Sequence, residues 1–497
     1  MKPGRRSPFD RLRVSGVGNG PPASRAPLEN MHLSPLKRTA ALLAGRAAGI
    51  ASRALRRGGG TALPGLVAGA LDPGLIAELS SGLGGGSLIV TGTNGKTTTA
   101  RMIAGIASTA GLHPLPNRSG SNLMRGIATA LMDEADLRGR VRDGPRRLGV
   151  FEVDEATLPQ AAEAVRPRLL LFTNLFRDQL DRYGEVDSVA ACWRLTLENA
   201  ESSTAVLLNA DDPSVAALAG VAPGEVVYYG VDDPSAGLAC AEHAADARWC
   251  PSCGSEYRYS VLFYGHVGHW LCPGCGRSRP APQVRATAVT REDGRTLIEI
   301  ETPAGPLSLS LALSGLYNVY NALAAAAAGL ALGVSLEAIG EGLSSATAAF
   351  GRQESFEVDG RRVLVLLGKN PAGLNQVLRT IAADETEKRL LFLLNDGIAD
   401  GRDVSWIWDA DFELLTGRPA AWVVSGTRAE DLALRLKYAG LTAPAAVEPN
   451  VAAALSRALH DTPPGGLLYV VPTYTAMLPV RELLARRGRR AHYWEEL

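Results

Sequence analysis

The stretch from Ser87 to Gly111, SLIVTGTNGKTTTARMIAGIASTAG, restricts the fold of this chain more than any other feature. An apolar strand runs into a glycine-rich turn, and an amphipathic helix follows directly. Glycines let backbone N–H groups turn toward phosphate oxygens, and the helix N-terminus adds a partial positive charge. We therefore predict nucleotide binding by a loop, with Lys96 on the outer phosphates and Thr97 on Mg²⁺. The loop residues are Gly92, Thr93, Asn94, Gly95, Lys96, Thr97 and Thr98.

The loop departs from the strict pattern G-x-x-x-x-G-K-[ST], because Val90 stands where the first glycine would be. The alternative to a phosphate loop is a chance turn. A phosphate loop also needs a metal-binding carboxylate on a neighbouring strand. The stretch RLGVFEVDEATLP supplies Glu152 and Asp154, which alternation places on one side of a strand. We predict Glu152 as the Mg²⁺ ligand, with Asp154 or Glu155 in support; the alternative is ordinary acids at a strand end.

A second motif is the cysteine pattern C-x₂-C-x₁₈-C-x₂-C, which is formed by Cys250, Cys253, Cys272 and Cys275. Four thiolates at this spacing can surround Zn²⁺, and they leave no open position for a substrate, so the ion is expected to be structural. The alternative is a set of reduced thiols. His266 and His269 lie inside the same stretch but are weaker candidates as ligands. Cys192 and Cys240 fall outside the pattern and are expected to be ordinary residues.

Length and composition limit the class of protein. A chain of 497 residues is too long for one hydrophobic core, so two or three domains are expected. With 46% hydrophobic and 21% charged residues the chain is typical of a soluble globular protein. No apolar run is long enough to span a bilayer and no secretory signal opens the sequence, so the cytoplasm is the expected location and nucleic acid is not among the expected partners.

The beginning of the chain is basic. The first 60 residues hold twelve Lys/Arg against Asp10 and Glu29, and residues 1–35 are predicted to be a disordered basic tail. A helical segment over 36–84 follows. Its arginines share one face, which either rests near an anionic membrane or a pyrophosphate headgroup, or is a solvated face of a docking helix. These arginines are Arg38, Arg46, Arg53 and Arg57.

Apolar strands and helical stretches alternate through the rest of the chain, which predicts the α/β class. We expect a P-loop ATPase domain over 85–350, with the cysteine ribbon inserted over 240–283, and a C-terminal Rossmann-like α/β domain over 351–497. Polar residues such as Lys369 and Asn370 follow predicted strands, where an α/β sheet forms a ligand crevice.

Four stretches resemble the central ATPase domain of the Mur ligases: GTNGKTTT, FTNLFRDQLDRYG, LNADDP and SGLYNVYNALAAAAAG. Mur ligases form amide bonds by phosphorylating a carboxylate and letting an amine displace the phosphate. The resemblance implies that Lys96 and Thr97 hold ATP and Mg²⁺, that Glu152 is the Mg²⁺ carboxylate, and that Asn321 lies beside the nucleotide. The stretch GRQESF, with Arg352, resembles the hinge into the family's last domain.

Two departures narrow this resemblance. The ordered segment before the phosphate loop is too short for the UDP-binding domain of the peptidoglycan Mur ligases. The family lysine that positions a second metal ion also has no counterpart, since no lysine occurs between Lys96 and Lys369.

The cysteine insertion and the stretches LGKNPAGLNQ, NDGIADGRDVSW and SGTRAEDLALRLKYAG resemble the MurT-type subunits of lipid II isoglutaminyl synthase. That resemblance implies ATP-dependent amidation of the α-carboxylate of D-glutamate in lipid II to D-isoglutamine, at the inner face of the membrane. Ammonia would come from a GatD-type glutaminase partner in a heterodimer. The alternatives are a stand-alone Mur or folylpolyglutamate-like ligase, and a non-catalytic nucleotide-binding zinc scaffold.

The stretch NDGIADGRDVSW carries Asp396, Asp400 and Asp403 directly after a predicted strand. We expect these carboxylates at a crevice or interface edge and not in a core. A Mg²⁺ site and a solvated turn are the alternatives. The resemblance to the MurT-type subunits puts a catalytic role on Asp403, which would orient the histidine of the glutaminase partner.

Overall fold

The computed structural model describes residues 35–54, 63–117, 121–178, 186–238, 246–292, 295–346, 352–384, 386–441 and 445–488. Several sequence predictions fall outside this part of the chain: nearly all of the basic tail, Arg57, Cys240, and the side chains of Arg53 and Arg352.

Three helices precede the first strand: α1 (Pro35–Ala54), α2 (Leu63–Leu71) and α3 (Leu75–Ser81). Buried residues of α1, α2 and α3 join the hydrophobic core on one face of the first sheet, together with Ile127 and Leu131. The N-terminal helices are therefore fastened to the sheet. None of the described helices combines the length and the apolar character that crossing a bilayer requires.

The first sheet has nine strands within the described residues, in the order β11-β10-β9-β6-β5-β4-β1-β3-β2. The strands are β1 (Ser87–Thr91), β2 (His113–Pro116), β3 (Arg147–Glu152), β4 (Leu169–Phe172), β5 (Ala205–Asn209), β6 (Val226–Val231), β9 (Val284–Glu292), β10 (Arg295–Thr302) and β11 (Gly305–Leu311). The helices that accompany them are α4 (Lys96–Thr109), α5 (Met124–Glu134), α6 (Leu158–Val165), α7 (Val186–Glu198), α8 (Pro213–Ala216), α9 (Leu316–Ala331) and α10 (Leu336–Ser344).

Strand β1 lies in the middle of this sheet, parallel to β3 on one side and to β4 on the other. Its residues are wholly buried, because helices cover both faces of the sheet. Val90 is in register with Glu152, and Thr91 is in register with Phe172. The carboxyl ends of three neighbouring strands therefore meet where the glycine-rich loop begins.

A two-stranded antiparallel ribbon, β7 (Arg258–Tyr264) and β8 (Val267–Leu271), is inserted between β6 and β9. The second sheet follows in the order β12-β13-β17-β14-β15-β16. Its strands are β12 (Arg352–Val358), β13 (Arg361–Leu366), β14 (Lys388–Leu393), β15 (Pro419–Ser425), β16 (Ala445–Val447) and β17 (Leu467–Pro472).

The helices of the second unit are α11 (Pro371–Ala383), α12 (Ala429–Tyr438), α13 (Val451–Asp461) and α14 (Tyr474–Gly488). All strand pairs of the second sheet are parallel except β12 with β13. Separate hydrophobic clusters cover its two faces. The predicted α/β class, with a second Rossmann-like layer, is confirmed.

Candidate active site

The glycine-rich loop joins β1 to α4 and is shaped by two glycines. Gly92 has φ +131° and Gly95 has φ +89°, a backbone region that residues with a Cβ rarely adopt. A Cβ atom at Gly92 would clash with the hydroxyl of Thr173, and one at Gly95 would clash with the amide of Asn321. The loop therefore lies against side chains that follow β4 and begin α9, and the first N–H groups of α4 have no partner within the helix.

Lys96 is the first residue of α4, and its side chain is only 7% exposed. Its Nζ atom donates to the carbonyl oxygen of Gly92, and lies 3.3 Å from that of Thr93 and 3.1 Å from Oε1 of Glu155. Burial raises the pKa of Glu155, and the charge of Lys96 opposes that rise. The carboxylate in contact with Lys96 is thus Glu155, which sequence reasoning had placed only in support of Glu152.

Glu152 ends β3 and is buried beside the start of the loop. Its backbone N–H donates to Oδ1 of Asn117 at 2.8 Å, and Nδ2 of Asn117 donates back to its carbonyl oxygen at 2.8 Å. Thr97 follows Lys96 in the first turn of α4. The hydroxyl of Thr97 and the carboxylate of Glu152 are oxygen ligands of the kind that Mg²⁺ prefers, so the chemistry of these side chains suits the ion.

A cavity opens beside the loop between the two sheets. Its walls from the first unit include Asn94, Gly95 and Asn321, with tyrosines such as Tyr317 and Tyr320. The second unit contributes Leu366, Leu367, Lys369, Ala372, Gly373, Gln376 and Val377. Aromatic and apolar walls next to a phosphate loop suit the base and sugar of a nucleotide. Asn321 accepts a hydrogen bond from the Thr99 hydroxyl at 3.2 Å, so it links α9 to α4 at the cavity wall.

Lys369 and Asn370, which follow β13, contact residues of the first unit across this cavity. Nζ of Lys369 lies 2.5 Å from Oδ2 of Asp178, which follows β4. Asn370 caps α11 by accepting from the N–H of Gly373 at 2.8 Å, and its Nδ2 donates to Oδ1 of Asn94 in the loop at 3.1 Å. Sequence reasoning had placed Lys369 and Asn370 at a crevice but did not single out Asp178, which lies in the stretch FTNLFRDQLDRYG after a predicted strand.

The four predicted zinc ligands come together. Their Sγ atoms all lie within 4.8 Å of one another. Sγ of Cys253 lies 3.3 Å from that of Cys272, and Sγ of Cys250 lies 3.7 Å from that of Cys275. Tetrahedral Zn²⁺ with bonds of about 2.3 Å would place its sulfurs about 3.8 Å apart, so the cluster fits the ion.

Both cysteine pairs end in turns that need glycine, since Gly254 and Gly276 have φ of +74° and +76°. Burial opposes ionisation of Cys250, but the N–H groups of Ser252 and Cys253 lower the pKa of its thiol to about 6. The backbone around Cys250 therefore favours its thiolate, which is the form that binds a metal.

The ribbon is fastened to the first sheet through buried polar contacts. Nε1 of Trp270 donates to the carbonyl oxygen of Ala210 at 3.0 Å, and Nε of Arg279 lies 2.5 Å from Oδ1 of the buried Asp211. His266 is 1% exposed, stacks on Phe176 and lies 3.4 Å from Oδ2 of Asp212. Asp211 and Asp212 therefore hold the ribbon instead of lining the nucleotide crevice.

His269 directs Nε2 at the carbonyl oxygen of Val231, 2.8 Å away. Neither His269 nor His266 belongs to the sulfur cluster in the described part of the chain. The preference for cysteine ligands over these histidines agrees with the geometry.

The acidic loop after β14 corrects one expectation. Asp400 is 3% exposed, accepts from the N–H of Thr475 at 2.9 Å and is bonded to its hydroxyl, so this carboxylate is a core residue. Asp396 accepts from the Thr427 hydroxyl at 2.8 Å. Asp403 is exposed, and its Oδ1 accepts from the N–H of Ser405 at 2.9 Å, which lowers its pKa. Asp403 is therefore an ionised carboxylate held in a fixed orientation at the surface.

The predicted basic face of α1 is also different from either expectation. Arg38 is paired with Glu78 of α3, and Nη2 of Arg46 donates to the carbonyl oxygens of Met132, at 3.0 Å, and Ala135. These two arginines fasten α1 to its neighbours and do not form a free cationic surface.

Two family models match the chain. The Mur ligase middle domain matches residues 90–266, and the MurT ligase C-terminal domain matches residues 367–477. The first match contains the loop, Glu152 and the beginning of the ribbon. The second contains Lys369 and the acidic loop.

The chain is similar to two proteins named lipid II isoglutaminyl synthase (glutamine-hydrolyzing) subunit MurT. That of Staphylococcus aureus (strain COL) is 34% identical over 439 residues, which are 88% of this chain and 95% of the relative. That of Streptococcus pneumoniae (strain ATCC BAA-255 / R6) is 34% identical over 456 residues, 91% of this chain and 98% of the relative.

The fold is similar to that of solved Mur-type ligases. MurF from Acinetobacter baumannii has a TM-score of 0.62 at 18% identity, with 85% of this chain and 80% of that chain covered. A pseudomurein peptide ligase type C from Methanothermus fervidus has a TM-score of 0.60 at 23% identity, with 80% and 78% covered. At these identities the likeness is one of fold.

Proposed function

Since the chain belongs to the family of MurT subunits of lipid II isoglutaminyl synthase, we propose that it amidates lipid II in peptidoglycan synthesis. ATP would phosphorylate the α-carboxylate of D-glutamate in the stem peptide, giving ADP and an acyl phosphate. Ammonia would then attack the carbonyl carbon, the bond from that carbon to the phosphate oxygen would break, phosphate would leave with the bonding electrons, and the nitrogen would release a proton, so that D-isoglutamine forms. A glutaminase of the GatD type would supply the ammonia.

The observation that carries this proposal is the cavity between the two sheets. The phosphate loop forms one wall, and Lys369 reaches from the other unit toward the loop. A reaction that transfers a phosphoryl group and then joins a second reactant needs both reactants held together and water excluded. A cavity lined by both units favours a ligase over a scaffold that only binds nucleotide.

We assign roles to the predicted residues in this cavity and in the phosphate loop beside it. Lys96 and the loop N–H groups would bind the transferring phosphate, with Asn321 and the tyrosines on the nucleotide. Thr97 and Glu152 would hold Mg²⁺, which neutralises charge on the phosphates when bound. Glu155 orients Lys96 by its contact at 3.1 Å. Arg352 is proposed to bind the nucleotide from the connection into the last unit.

The cysteine ribbon would hold one structural Zn²⁺ through its four thiolates. Domain boundaries are proposed near residues 84 and 350, with the ribbon inserted over 240–283. The ribbon contacts Phe176, two residues before Asp178, so its role would be to stabilise the segment that Lys369 contacts.

The partner is proposed to bind at the acidic loop. Ile398 is 83% exposed within that loop, Trp408 is 48% exposed, and Tyr438 is 72% exposed with its ring 5.6 Å from that of Trp408. Exposed aromatic side chains of this kind are typical of protein interfaces. Asp403 lies in the same stretch, where its carboxylate could fix the tautomer of a partner histidine that activates a thiol.

The test is reconstitution with and without a glutaminase. The full chain and a co-expressed glutaminase should copurify and convert lipid II, ATP and glutamine into amidated lipid II, as seen by mass spectrometry. The chain alone should do so with ammonium. ADP release that depends on a free amino acid, with no partner and no ammonia, would favour a stand-alone ligase, and binding of ATP without turnover under any of these conditions would favour a scaffold.

A further inference from the structure

The solvent-facing side of α1 is aliphatic. Among residues 36–52, whose side chains the structure describes, the exposed ones are Leu36, Lys37, Ala40, Leu43, Ala47, Ile50 and Ala51, so one of the seven is polar. Three large side chains recur every seven residues, with exposed fractions of 80% at Leu36, 50% at Leu43 and 62% at Ile50. A surface helix of a globular protein normally turns its polar residues to water.

Helix α2 continues this surface. Its exposed residues are Leu63, Leu66, Ala70 and Leu71, all of them apolar. The two helices pack closely, because a Cβ atom at Gly45 would lie 2.9 Å from the carbonyl oxygen of Pro64 and 3.1 Å from Cβ of Ala68. Six of the fifteen exposed large hydrophobic residues in the described chain lie on α1 and α2. We call these six the aliphatic face: Leu36, Leu43, Ile50, Leu63, Leu66 and Leu71.

Two arginines of α1 point the other way. Arg38 is paired with Glu78, and Arg46 donates to two carbonyl oxygens around the end of α5. The arginines thus hold the helix onto the protein and leave its aliphatic side free to water. Exposed aliphatic side chains on α1 lower solubility and add nothing to the hydrophobic core. They therefore indicate a surface that another molecule covers when the protein functions.

Charge and side-chain type favour a bilayer as the cover. Helix α1 contains Lys37, Arg38, Arg46 and Arg53, and neither α1 nor α2 contains an acidic residue. Lys37 is exposed beside Leu36, and no acidic side chain of either helix opposes its charge, which suits anionic lipids. The aliphatic face contains no aromatic residue, whereas protein interfaces are enriched in tryptophan, tyrosine and arginine.

We propose that the aliphatic face lies on an anionic lipid bilayer, with its leucine and isoleucine side chains in the boundary between headgroups and acyl chains. Helices with such a face bind in the plane of the interface. The inference rests on the proposed function for its purpose, because a substrate with a lipid anchor must be reached at the bilayer surface. The binding itself requires neither substrate nor ATP.

The test is sedimentation of the full chain with vesicles of phosphatidylglycerol and phosphatidylcholine, and with vesicles of phosphatidylcholine alone. The double variant Leu43→Glu/Ile50→Glu should bind the mixed vesicles at least about tenfold more weakly, because two aliphatic side chains are replaced by charges. Leu195→Glu on α7 is the matched control, since Leu195 is 56% exposed away from this face. It should bind the vesicles like the unchanged protein.

Leu66→Glu provides a second variant on α2, and thermal unfolding checks that every variant folds. Three results would overturn the proposal: no vesicle binding by the unchanged chain, equal binding by the double variant, or loss of binding in Leu195→Glu as well. Self-association that the double variant abolishes, without vesicle binding, would assign the face to a second copy of the chain instead.

The proposed function is tested separately with a water-soluble substrate that lacks the lipid anchor. The double variant should amidate it as the unchanged protein does. If neither protein amidates it while vesicle binding still depends on Leu43 and Ile50, the proposed function fails and the membrane surface stands.

Discussion

Nζ of Lys369, just after β13, lies 2.5 Å from Oδ2 of Asp178, just after β4. This ion pair connects the two sheets at the cavity that contains the phosphate loop. The side chain of Asp178 is 8% exposed and that of Lys369 is 25% exposed, so water screens the pair only in part.

Lys369→Ala should slow amidation about ten- to a hundredfold, because the second unit would no longer be held over the loop and small displacements of reactants are costly. Lys369→Arg should retain part of the rate by keeping the charge. Single-turnover kinetics with ATP and ammonium measure the effect. Lys437→Ala, an exposed lysine on α12, is the control, and a normal rate in Lys369→Ala would remove the ion pair from the mechanism.

Lys96→Ala, and separately Glu152→Ala, should lower ATP-dependent amidation by about a thousandfold, since each removes charge compensation for the transferred phosphoryl group. Thr97→Ala should act in the same direction. Isotopic exchange of phosphate measures whether each variant still transfers the phosphoryl group. Thermal unfolding measures whether the variant is still folded. Near-normal amidation by Lys96→Ala would mean that the loop does not bind the transferring phosphate.

Purified protein should contain one Zn²⁺ per chain, and Cys250→Ser should lower the unfolding temperature and the zinc content together. The physical reason is that three thiolates bind the ion more weakly and the ribbon then loses its position on Phe176 and Asp212. Elemental analysis and thermal unfolding measure both. Cys192→Ser, outside the cluster, is the matched control, and a zinc-free protein with four reactive thiols would contradict the assignment.

Asp403→Asn should abolish glutamine-dependent amidation in the complex, leave ATP binding unchanged, and be bypassed by free ammonium. The amide cannot stabilise a charged histidine, so thiol activation should slow by orders of magnitude, about 10⁴-fold in comparable triads. Asp396→Asn is the control in the same loop. Glutamine hydrolysis at the usual rate in Asp403→Asn would return this residue to a structural turn.

Asp400 gives a prediction about pH. Burial raises its pKa above the usual 3.8, although hydrogen bonds from Thr475 oppose the rise. The folded protein therefore binds this proton more tightly than the unfolded chain, and stability falls as the pH rises through the raised pKa. Asp400→Asn should flatten the decline of the unfolding temperature as the pH rises from the usual pKa of 3.8 to the raised pKa of the folded protein. The carboxyl of Asp396 has a lowered pKa, so Asp396→Asn should not flatten this decline. If the unfolding temperature of Asp400→Asn declined with pH as steeply as that of the unchanged protein, the raised pKa would not belong to Asp400.

Patterns that are local in the chain were predictable from sequence. The phosphate loop needs one strand, two glycines and one helix within about 25 residues, and the zinc site needs two short turns at a fixed spacing. The alternation of strands and helices likewise predicted the α/β class, because periodicity within each element reports which faces are buried. Strand β13, which begins at Arg361, and helix α11, which follows Asn370, were predictable for the same reason.

Contacts between distant parts of the chain were not predictable in this way. Glu152 and Glu155 are both acids after one strand, and only the packing of α4 against β3 brings Glu155 to Lys96. Asp400 and Asp403 lie three residues apart in one acidic stretch, yet Thr475 of α14 buries one and leaves the other in water. The residue type and the position after a strand do not distinguish Glu152 from Glu155, or Asp400 from Asp403.

The sequence by itself determined the elements, the loop and the metal-type cluster, because their geometry is set by residues close in the chain. Only the tertiary structure decided that Lys369 reaches Asp178, and that α1 turns Arg46 inward and Ile50 outward. A helical repeat specifies which residues share a face, but the free energy that chooses the buried face comes from the partner surface. That surface is assembled from segments far away in sequence, so which face of the helix is buried is decided only in the folded chain.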